Sequence, residues 1–499
     1  MREIERKYAF DGDLDLPETL ARDVGAHSLN ALPPLELKAA YYDTADLRLA
    51  RNGITLRFRT GDEGGDRWTV KLPAGEGRDE IELDAPATRV PAAARDLVRA
   101  FARAEPLKRV VTLRTKRTRW AFVDADGEKL AELVDDHVTI YRSGRLGGRF
   151  RELEVESADG SSELIRKVGA CLQELGARPG DDTPKAIRAL GSGASAPPDV
   201  VVPESVSPSA PASEAIRAAV ASATARITRN DPRARLGEPE GIHQMRVGAR
   251  HLRSDLRTFA PLVDQGWAAA VTEGLKWLAG VLGDVRDLDV MTERLNEAAA
   301  ELRAPLAPLF EQLAQRDGAA RAALMDALRS KRYEQLLETL VVASGAPPVT
   351  EEASVPSSDA LPPLVASRWI KLRDAGRAVH AESSDEELHR VRILAKRGRY
   401  AADAASVALG KKKARDAAKF ADLCSKVQDA LGTLQDTAVT TAAIEKAARE
   451  TNGSVDFSIA AGRLIEREAA TAATARSDFE YAWDKLDRKK NVTWMRERR

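Results

Sequence analysis

Hydrophobic and charged residues alternate with a period of two in short segments of the first 190 residues. Such alternation is typical of β-strands, because successive side chains of a strand point to opposite faces of a sheet. We therefore predict that this part of the chain consists mainly of antiparallel strands, each with an apolar and a charged face. The alternating segments are 3–8, 55–59, 68–72, 80–83, 117–123 and 152–156.

The pattern changes after residue 213, where apolar residues recur at spacings of three and four. This period is typical of amphipathic helices, so we predict that residues 214–499 are helical. Between the two parts, residues 191–213 are rich in Pro, Ser, Gly and Ala and have no apolar period, which predicts an extended, hydrated linker. The predicted fold class is α+β, with a β domain at 1–190 followed by an all-α domain.

An internal repeat divides the helical part. Residues 243–253 (HQMRVGARHLR) align without a gap with residues 389–399 (HRVRILAKRGR), and LGDVRD at 282–287 returns as LGTLQD at 431–436. Because both motifs recur in the same order, the repeat extends over a whole helical unit. We predict two related helical bundles packed as one domain. They comprise approximately residues 214–343 and 364–499.

Composition and charge limit the class of protein. The 43% of hydrophobic residues exclude a fully disordered chain, and 499 residues exceed one ordinary hydrophobic core. The 77 basic and 77 acidic residues cancel, so attraction to a charged partner must come from local clusters of charge. The two cysteines, without a CxxC pair, argue against a disulfide framework or a zinc–thiolate site. Because no apolar stretch reaches about 18 residues, we predict a cytoplasmic protein without a membrane partner.

The charged residues of the predicted strands occur in groups of like sign. Glu152, Glu154 and Glu156 share one face of a strand, and Arg57 and Arg59 share one face of another. One interpretation is a solvated face with cross-strand ion pairs, each contributing a few tenths to about 1 kcal/mol. The alternative is a barrel closed around this face. Because burying unpaired ions is costly, such an interior must hold water and a highly charged guest, for which a metal-bound polyphosphate is the natural candidate.

Several of these segments belong to an ordered series of motifs that begins with Glu3-Ile-Glu5-Arg-Lys7. The others are YYDT at 41–44, LARNGITLRFR at 49–59, WTVK at 68–71, RDEIE at 78–82, KRTRW at 116–120, ELVDD at 132–136, ELEVE at 152–156 and PKAIR at 184–188. The first motif is similar to the ExExK signature of the CYTH family, the triphosphate tunnel metalloenzymes. The remaining motifs resemble those of the same family, in the family's order, across nearly all of residues 1–190.

The resemblance implies an eight-stranded antiparallel tunnel that hydrolyses triphosphate by in-line attack of water, with Mg²⁺ or Mn²⁺ as cofactor. The implied catalytic residues are Glu3, Glu5, Lys7 and Lys71. Lys7 and Lys71 also bind phosphate, and Lys71 is a candidate for orienting the water. The implied substrate-binding residues are Arg57, Arg59, Arg117, Arg119 and Lys185. The implied metal ligands are Glu3, Glu5, Glu80, Asp136, Glu152 and Glu154. Asp136 is preferred to Asp135 because its spacing from Glu132 fits the family pattern.

The repeated helical motif carries a stripe of basic residues in each copy, because spacings of three and four place them on one helix face. A solvated cationic face is one interpretation. Like charges at this spacing repel by a few tenths of a kcal/mol per pair, however, and a bound anion would offset that cost. Recurrence of the stripe in both copies favours anion binding. The stripes are His243, Arg246, Arg250 and Arg253, and His389, Arg392, Lys396 and Arg399.

These stripes, with the later LG…D pattern, resemble the CHAD domain, a helical module associated with inorganic polyphosphate, over roughly residues 214–499. The low aromatic content of 5% argues against nucleic acid as the anion. The second copy departs from the first at Lys396, Thr433 and Gln435, so the resemblance does not imply equal roles for the two halves. The two leading histidines either donate hydrogen bonds to phosphate or brace neighbouring helices.

Together the resemblances imply an inorganic triphosphatase that hydrolyses tripolyphosphate in the tunnel and binds polyphosphate with its helical domain. Inorganic triphosphate and polyphosphate are then its ligands, and polyphosphate granules are a candidate location within the cytoplasm. Two alternatives stay open. The protein could bind and target polyphosphate without turnover, or it could be a CYTH enzyme that acts on thiamine triphosphate or, as an adenylate cyclase, on ATP.

Overall fold

The computed structural model describes residues 5–12, 14–74, 77–157, 162–180, 183–299, 302–380, 382–450 and 454–495. The chain divides into one unit that ends at Asp199 and a second that begins at Val200. Among the described helices, none is long and apolar enough to cross a membrane.

Antiparallel strands of the first unit form a single sheet. Within the described residues they are β1 (Glu5–Ala9), β2 (Ser28–Asp43), β3 (Thr55–Thr60), β4 (Arg67–Ala74), β5 (Gly77–Leu83), β6 (Lys108–Val123), β7 (Lys129–Arg142), β8 (Arg145–Ser157) and β9 (Arg178–Pro179). Their order in the sheet is β5-β4-β3-β2-β6-β7-β8-β1-β9. The predicted α+β class is confirmed.

The strand count and closure of the sheet differ from the predicted eight-stranded tunnel. The ninth strand, β9, has only two residues and pairs with the end of β1, where Gly180 N donates a hydrogen bond to Lys7 O at 2.8 Å. Strands β5 and β9 are the two edges, and no backbone pairing joins the edges within the described residues. Between residues 5 and 199, as far as the structure describes them, the sheet is therefore open, because β1 and β5 are not hydrogen-bonded to each other.

Helices cover the sheet on both faces. They are α1 (Leu20–Val24), α2 (Arg48–Arg51), α3 (Ala92–Ala102), α4 (Ser162–Glu174) and α5 (Lys185–Leu190). Helices α1 and α4 pack on the apolar residues that alternate with the charged ones, such as Leu153 and Val155. Helix α5 lies on the opposite face, where Ala186 and Ala189 contact Tyr41 and Val138. Its small side chains allow a close approach and bring its first residue over the charged part of the sheet.

The second unit is helical throughout its longer elements, as the sequence predicts. Its α-helices within the described residues are α6 (Ala212–Arg235), α7 (Pro239–Thr258), α8 (Gln265–Ala298), α9 (Ala307–Arg329), α10 (Lys331–Gly345), α11 (Ser357–Arg377), α12 (Asp385–Ser406), α13 (Lys411–Glu450) and α14 (Val455–Leu486). Helices α6 to α9 pack in chain order, and helices α11 to α14 do the same. Helix α12 begins with a capping box between Ser384 and Glu387.

A local two-fold relation joins the two repeats. Ala212 N donates a hydrogen bond to Val355 O at 2.9 Å, and Ser357 N donates one to Ala210 O at 2.8 Å. The two donors occupy equivalent positions at the starts of α6 and α11. Each of the helices α6, α7 and α8 also contacts its counterpart, α11, α12 or α13. The motif helices α7 and α12 are thereby placed side by side.

The segment predicted to be a hydrated linker, 191–213, packs against the unit on each side. Before the boundary, Ala194 is buried against α2 and α5, and Asp199 forms an ion pair with Arg103 at 2.6 Å. After the boundary, Val206 is buried and its N donates a hydrogen bond to Val407 O at 3.1 Å. Apolar residues in this Pro-rich stretch therefore anchor it at both ends, although they show no helical or strand period.

Candidate functional site

The sheet register places the charged residues of the strands on one side, named here the charged face. Lys7 is the partner of Glu154 across β1 and β8, and Asp136 is the partner of Glu152 across β7 and β8. Asp136 is also the partner of Arg117 on β6. By the same alternation, the face comprises Glu5, Lys7, Arg57, Arg59, Arg67, Lys71, Arg78, Glu80, Glu82, Arg117, Arg119, Glu132, Asp136, Glu152, Glu154 and Glu156. Glu3 lies outside the described residues.

Lys185, the first residue of α5, lies at the centre of the acidic part of this face. Its Nζ is 2.8 Å from Glu154 Oε2 and 3.1 Å from Glu152 Oε1, and it also contacts Asp136. On the other side of Glu154, Lys7 Nζ lies 3.4 Å from Oε1. Glu152 Oε2 is 3.1 Å from Arg188 Nη1. The predicted residues Lys7, Lys185, Glu152 and Glu154 are thus brought into one network.

Asp136 is fully buried and is held by a bidentate pair with Arg117, whose Nε and Nη2 lie 2.8 and 2.7 Å from its two oxygens. The adjacent Asp135 points to the other face of the sheet. There Arg151 Nη2 lies 2.7 Å from Asp135 Oδ2. The geometry therefore places Asp136, rather than Asp135, beside Lys185 and Glu152.

The paired charges determine the protonation states of the network. Burial raises the pKa of Glu154, but Lys185 and Lys7 outweigh burial and lower it to about 2. Burial raises the pKa of Glu152 despite the opposing charge of Lys185, and the like charge of Glu154 adds to the rise. For Lys7 and Lys185, burial lowers the pKa, but the surrounding carboxylates reverse the effect and raise it overall. Both lysines and Glu154 are therefore charged at neutral pH.

Glu5, Glu154 and Glu156 form a cluster of carboxylates with oxygens within 4.8 Å of one another. Carboxylate oxygens suit hard cations such as Mg²⁺ and Mn²⁺, so this donor set fits the divalent ion that the sequence implies. Glu156 was absent from the predicted ligands, although it continues the period of Glu152 and Glu154. The predicted ligands Glu152 and Asp136 instead pair with cations, as described above, and Glu80 pairs with Lys71 at 2.6 Å.

The basic part of the charged face lies on β3 to β6. Arg57 Nη2 is 3.3 Å from Glu80 Oε1, and Arg59 contacts Asp62. The Nε atoms of Arg57 and Arg59 are buried and have no hydrogen-bond partner among the described residues. Burial, followed by the charge of Arg57, lowers the pKa of Arg59. Two neighbouring guanidinium groups therefore retain donors for an anion.

Two further arginines, one predicted to bind substrate and one not, lie on the charged face. Arg119, predicted to bind substrate, pairs with Glu132 and with Glu63 of the β3–β4 turn, each at 2.6 Å. Arg78 on β5 was not predicted, but it alternates with Glu80 and lies on the same face. Burial lowers the pKa of Arg78, and Glu5 on β1 opposes that effect. This electrostatic interaction places Arg78 near the carboxylate cluster.

The two basic stripes of the helical unit make equivalent contacts. Arg246 Nη1 donates a hydrogen bond to Asp287 Oδ1 at 2.7 Å, and Arg392 Nη1 donates one to Gln435 Oε1 at 3.3 Å, where His389 also contacts the amide. Both guanidinium groups lie against a glycine of the next helix. A Cβ added at Gly283 would lie 3.4 Å from Arg246 Nη2, and one at Gly432 would lie 3.5 Å from Arg392 Nη2. The Nε atoms of both arginines are buried and have no hydrogen-bond partner among the described residues.

Lys396, the counterpart of Arg250, lies among the basic residues of both stripes. Burial, followed by the charges of Arg250, Arg392 and Arg246, lowers the pKa of Lys396 to about 7, against the opposing effect of Asp436. Burial, Arg286 and other nearby arginines likewise lower the pKa of His243. The two stripes thus form one surface, named here the central basic surface, with more positive charge than its carboxylates neutralise.

Arg253 and Arg399, the last members of the two stripes, lie at the margin of the central basic surface. Arg399 Nη1 donates a hydrogen bond to Ser425 Oγ at 2.9 Å, and its guanidinium carbon lies 4.8 Å from the centre of the Tyr400 ring. The buried Nε of Arg253 has no hydrogen-bond partner among the described residues. Burial and the charge of Arg257 lower the pKa of Arg253. Arg253 therefore interacts with the end of α7, beyond the residues that surround Lys396.

Comparison with known proteins matches each unit to a family. Residues 1–187 match the CYTH domain family, and residues 218–445 match the CHAD domain family. Two uncharacterized proteins of Mycobacterium tuberculosis, from strains CDC 1551 / Oshkosh and ATCC 25618 / H37Rv, are each 32% identical to this chain over 489 residues. Each alignment spans 91% of this chain and 91% of the relative.

Solved structures resemble parts of the chain. PptA from Streptomyces chartreusis aligns with 55% of this chain and 99% of its own, with 22% identity and a TM-score of 0.47. The CHAD domain from the plant Ricinus communis aligns with 58% of this chain and 97% of its own, with 25% identity and a TM-score of 0.46.

Proposed function

Because the chain belongs to the family of proteins in which a CYTH domain is followed by a CHAD domain, we propose that it is a metal-dependent inorganic triphosphatase that also binds inorganic polyphosphate. The arrangement of the charged face carries the first part of the proposal. A carboxylate cluster at Glu5, Glu154 and Glu156 shares this face with the guanidinium donors of Arg57 and Arg59. A phosphate chain and its counter-cation need both kinds of group.

The reaction is attack of water on the terminal phosphorus, in line with the P–O bond that breaks to release diphosphate. A divalent ion held by the carboxylate cluster would neutralise and orient phosphate oxygens. Arg57 and Arg59 would stabilise negative charge on the equatorial oxygens and on the leaving diphosphate. Lys185 and Lys7 hold the ligand Glu154 in its anionic form. Lys71, which pairs with Glu80, remains the candidate for orienting the water.

Phosphate release tests this activity. We expect phosphate release from tripolyphosphate in the presence of Mg²⁺ or Mn²⁺. The release should be lost in EDTA, because the carboxylates are negatively charged like the substrate and need the divalent ion to neutralise it. The assay should include thiamine triphosphate, ATP and long-chain polyphosphate. Faster turnover of thiamine triphosphate or cyclisation of ATP would replace the proposed substrate. Absence of turnover on every substrate, together with tight binding of polyphosphate, would support a binding protein instead.

The central basic surface carries the second part of the proposal. Arg246 and Arg392 have buried Nε donors without a hydrogen-bond partner in the described part of the chain, and Lys396 is surrounded by like charge. A row of phosphate groups can accept hydrogen bonds from the Nε donors and neutralise the positive charge around Lys396, because each group is an anion with several acceptor oxygens. The residues Asp287 and Gln435 that contact the two arginines fix their orientation, and Gly283 and Gly432 lie against the two guanidinium groups.

Polyphosphate binding should weaken as the pH rises from 7 to 9. The pKa of Lys396 is about 7 in the free protein, and a bound polyanion raises it, so binding takes up a proton above pH 7. Affinity should therefore fall by up to about tenfold per pH unit over this range. Isothermal titration in EDTA at constant ionic strength measures this dependence. Lys396→Arg should remove most of it, because arginine stays charged; an equal pH dependence in that variant would assign the proton to another group.

A further inference from the structure

Basic residues continue beyond the central basic surface at the C-terminal end of α7. Arg253 and Arg257 lie on α7, Arg368 lies on α11 and Arg397 lies on α12. Helices α11 and α12 both pack against α7, and Arg368 donates a hydrogen bond to the backbone carbonyl of Arg257. These four arginines, which meet around Arg257, are named here the second basic patch.

The positive charge of the second basic patch is compensated only in part, by Glu273, which opposes the lowering of the pKa of Arg253. None of its four arginines forms an ion pair with a carboxylate of the described residues. The Nε of Arg253 is buried without a hydrogen-bond partner in that part of the chain. Burial and the charge of Arg257 lower the pKa of Arg368 and of Arg397. Like charges held close together in a partly buried place cost free energy, which a bound anion removes.

The second basic patch continues the stripe of α7. Residues 243, 246, 250, 253 and 257 follow one another at spacings of three and four, so they share one helix face. With a rise of about 1.5 Å per residue, Arg246 and Arg257 are separated by ~16 Å along the helix axis. A tripolyphosphate held at Arg246 is too short to reach Arg257, whereas a long phosphate chain can contact both.

We propose that the second basic patch binds phosphate groups of a polyphosphate chain whose other groups lie on the central basic surface, so that the helical unit selects long chains. This inference rests on the polyphosphate binding proposed above. Arg257 and Arg368 lie outside the two repeated motifs, and Arg397 lies within the second motif but is not a member of its basic stripe. The three arginines therefore extend the binding surface rather than duplicate it. The second basic patch makes the affinity depend on chain length, because only a chain that spans both surfaces forms the additional contacts.

The test is the affinity of the whole protein for polyphosphates of increasing length. Binding is measured in EDTA, which removes the divalent ion that the proposed hydrolysis on the charged face requires. In the wild type, affinity should rise once the chain is long enough to span both surfaces. The double variant Arg257→Gln with Arg397→Gln should bind long chains at least tenfold more weakly and short chains as tightly as the wild type. Arg257→Lys with Arg397→Lys should restore much of the loss.

The matched control replaces two exposed arginines of other helices, Arg316→Gln on α9 with Arg463→Gln on α14, and should bind all lengths like the wild type. Unfolding curves check that each variant is folded. An unchanged affinity for long chains in the Arg257 and Arg397 variant, or an equal loss at every length, would overturn the inference. If the wild type binds no polyphosphate of any length, the proposed function itself fails. If an oligonucleotide of equal charge depends equally on both arginines, selection of polyphosphate is excluded.

Discussion

Replacement of Glu5 and Glu156 together by glutamine should reduce metal-dependent phosphate release from tripolyphosphate by roughly 100- to 1,000-fold. The change removes two of the three carboxylates whose oxygens lie within 4.8 Å of one another. Glutamine keeps the shape of the side chain but not the charge that a hard divalent cation requires. Glu154 remains paired with Lys7 and Lys185, so the buried network is preserved. Phosphate release measured over a titration of Mg²⁺ and Mn²⁺ should show a higher metal requirement as well.

A matched control is Glu163→Gln, which removes one carboxylate from α4, the helix that packs on the apolar side of the sheet. Glu163 is exposed and pairs with Lys167 at 3.1 Å, so its loss should change neither the rate nor the metal requirement. Thermal unfolding of both variants separates loss of activity from loss of fold. Hydrolysis that survives in the Glu5 and Glu156 variant with unchanged metal dependence would show that the ion binds elsewhere.

Replacement of Arg246 and Arg392 by alanine should weaken the binding of long-chain polyphosphate by at least about 100-fold. The Nε of each arginine has no hydrogen-bond partner among the residues that the structure describes, and the two arginines occupy equivalent places in their repeats. A hydrogen bond to a charged group contributes about 1.5–3 kcal/mol, so loss of one at each site accounts for an effect of this size. The slope of affinity against salt concentration should also decrease, since fewer counterions are displaced.

The proposal assigns hydrolysis to the first unit and polyphosphate binding to the second, so the Arg246 and Arg392 variant should lose only the binding. The proposed hydrolysis of tripolyphosphate uses the charged face, so it should continue at the rate of the wild type. Arg316→Ala with Arg463→Ala removes the same charge from exposed positions and should affect neither property. An equal loss of hydrolysis and of polyphosphate binding in the Arg246 and Arg392 variant would contradict the separate roles.

The charged face could be predicted from the sequence because it depends on alternation alone. Leu153 and Val155 form part of the apolar core, and the glutamates between them therefore face the other way. The same rule separates Asp136 from Asp135. The unpaired edges of the described sheet could not be predicted in this way, because closure depends on hydrogen bonds between strands that are distant in sequence. Strand β9 could not be predicted either, because two residues are too few to show a period.

Which acidic residues pair with lysine and which form the carboxylate cluster also required the structure. Lys185 reaches Glu152 and Asp136 because Ala186 and Ala189 pack α5 onto the sheet, and no local pattern encodes that contact. Similarly, Arg119 pairs with Glu63 from a turn more than fifty residues away in the chain. Residue type and spacing therefore indicate the chemistry of the face, but tertiary packing determines which carboxylate meets which cation.

The local two-fold relation of the helical repeats bears on the kind of polymer that fits them. An inorganic polyphosphate chain has no direction, so it reads the same from either end. The two-fold axis of such a chain can coincide with that of the protein, and Arg246 and Arg392 then meet identical phosphate groups. A nucleic acid strand has distinct 5′ and 3′ ends and would present different groups to the two repeats. The second copy has Lys396 at the position equivalent to Arg250, which departs from this symmetry. This difference would favour one of the two orientations of a bound chain whose ends differ.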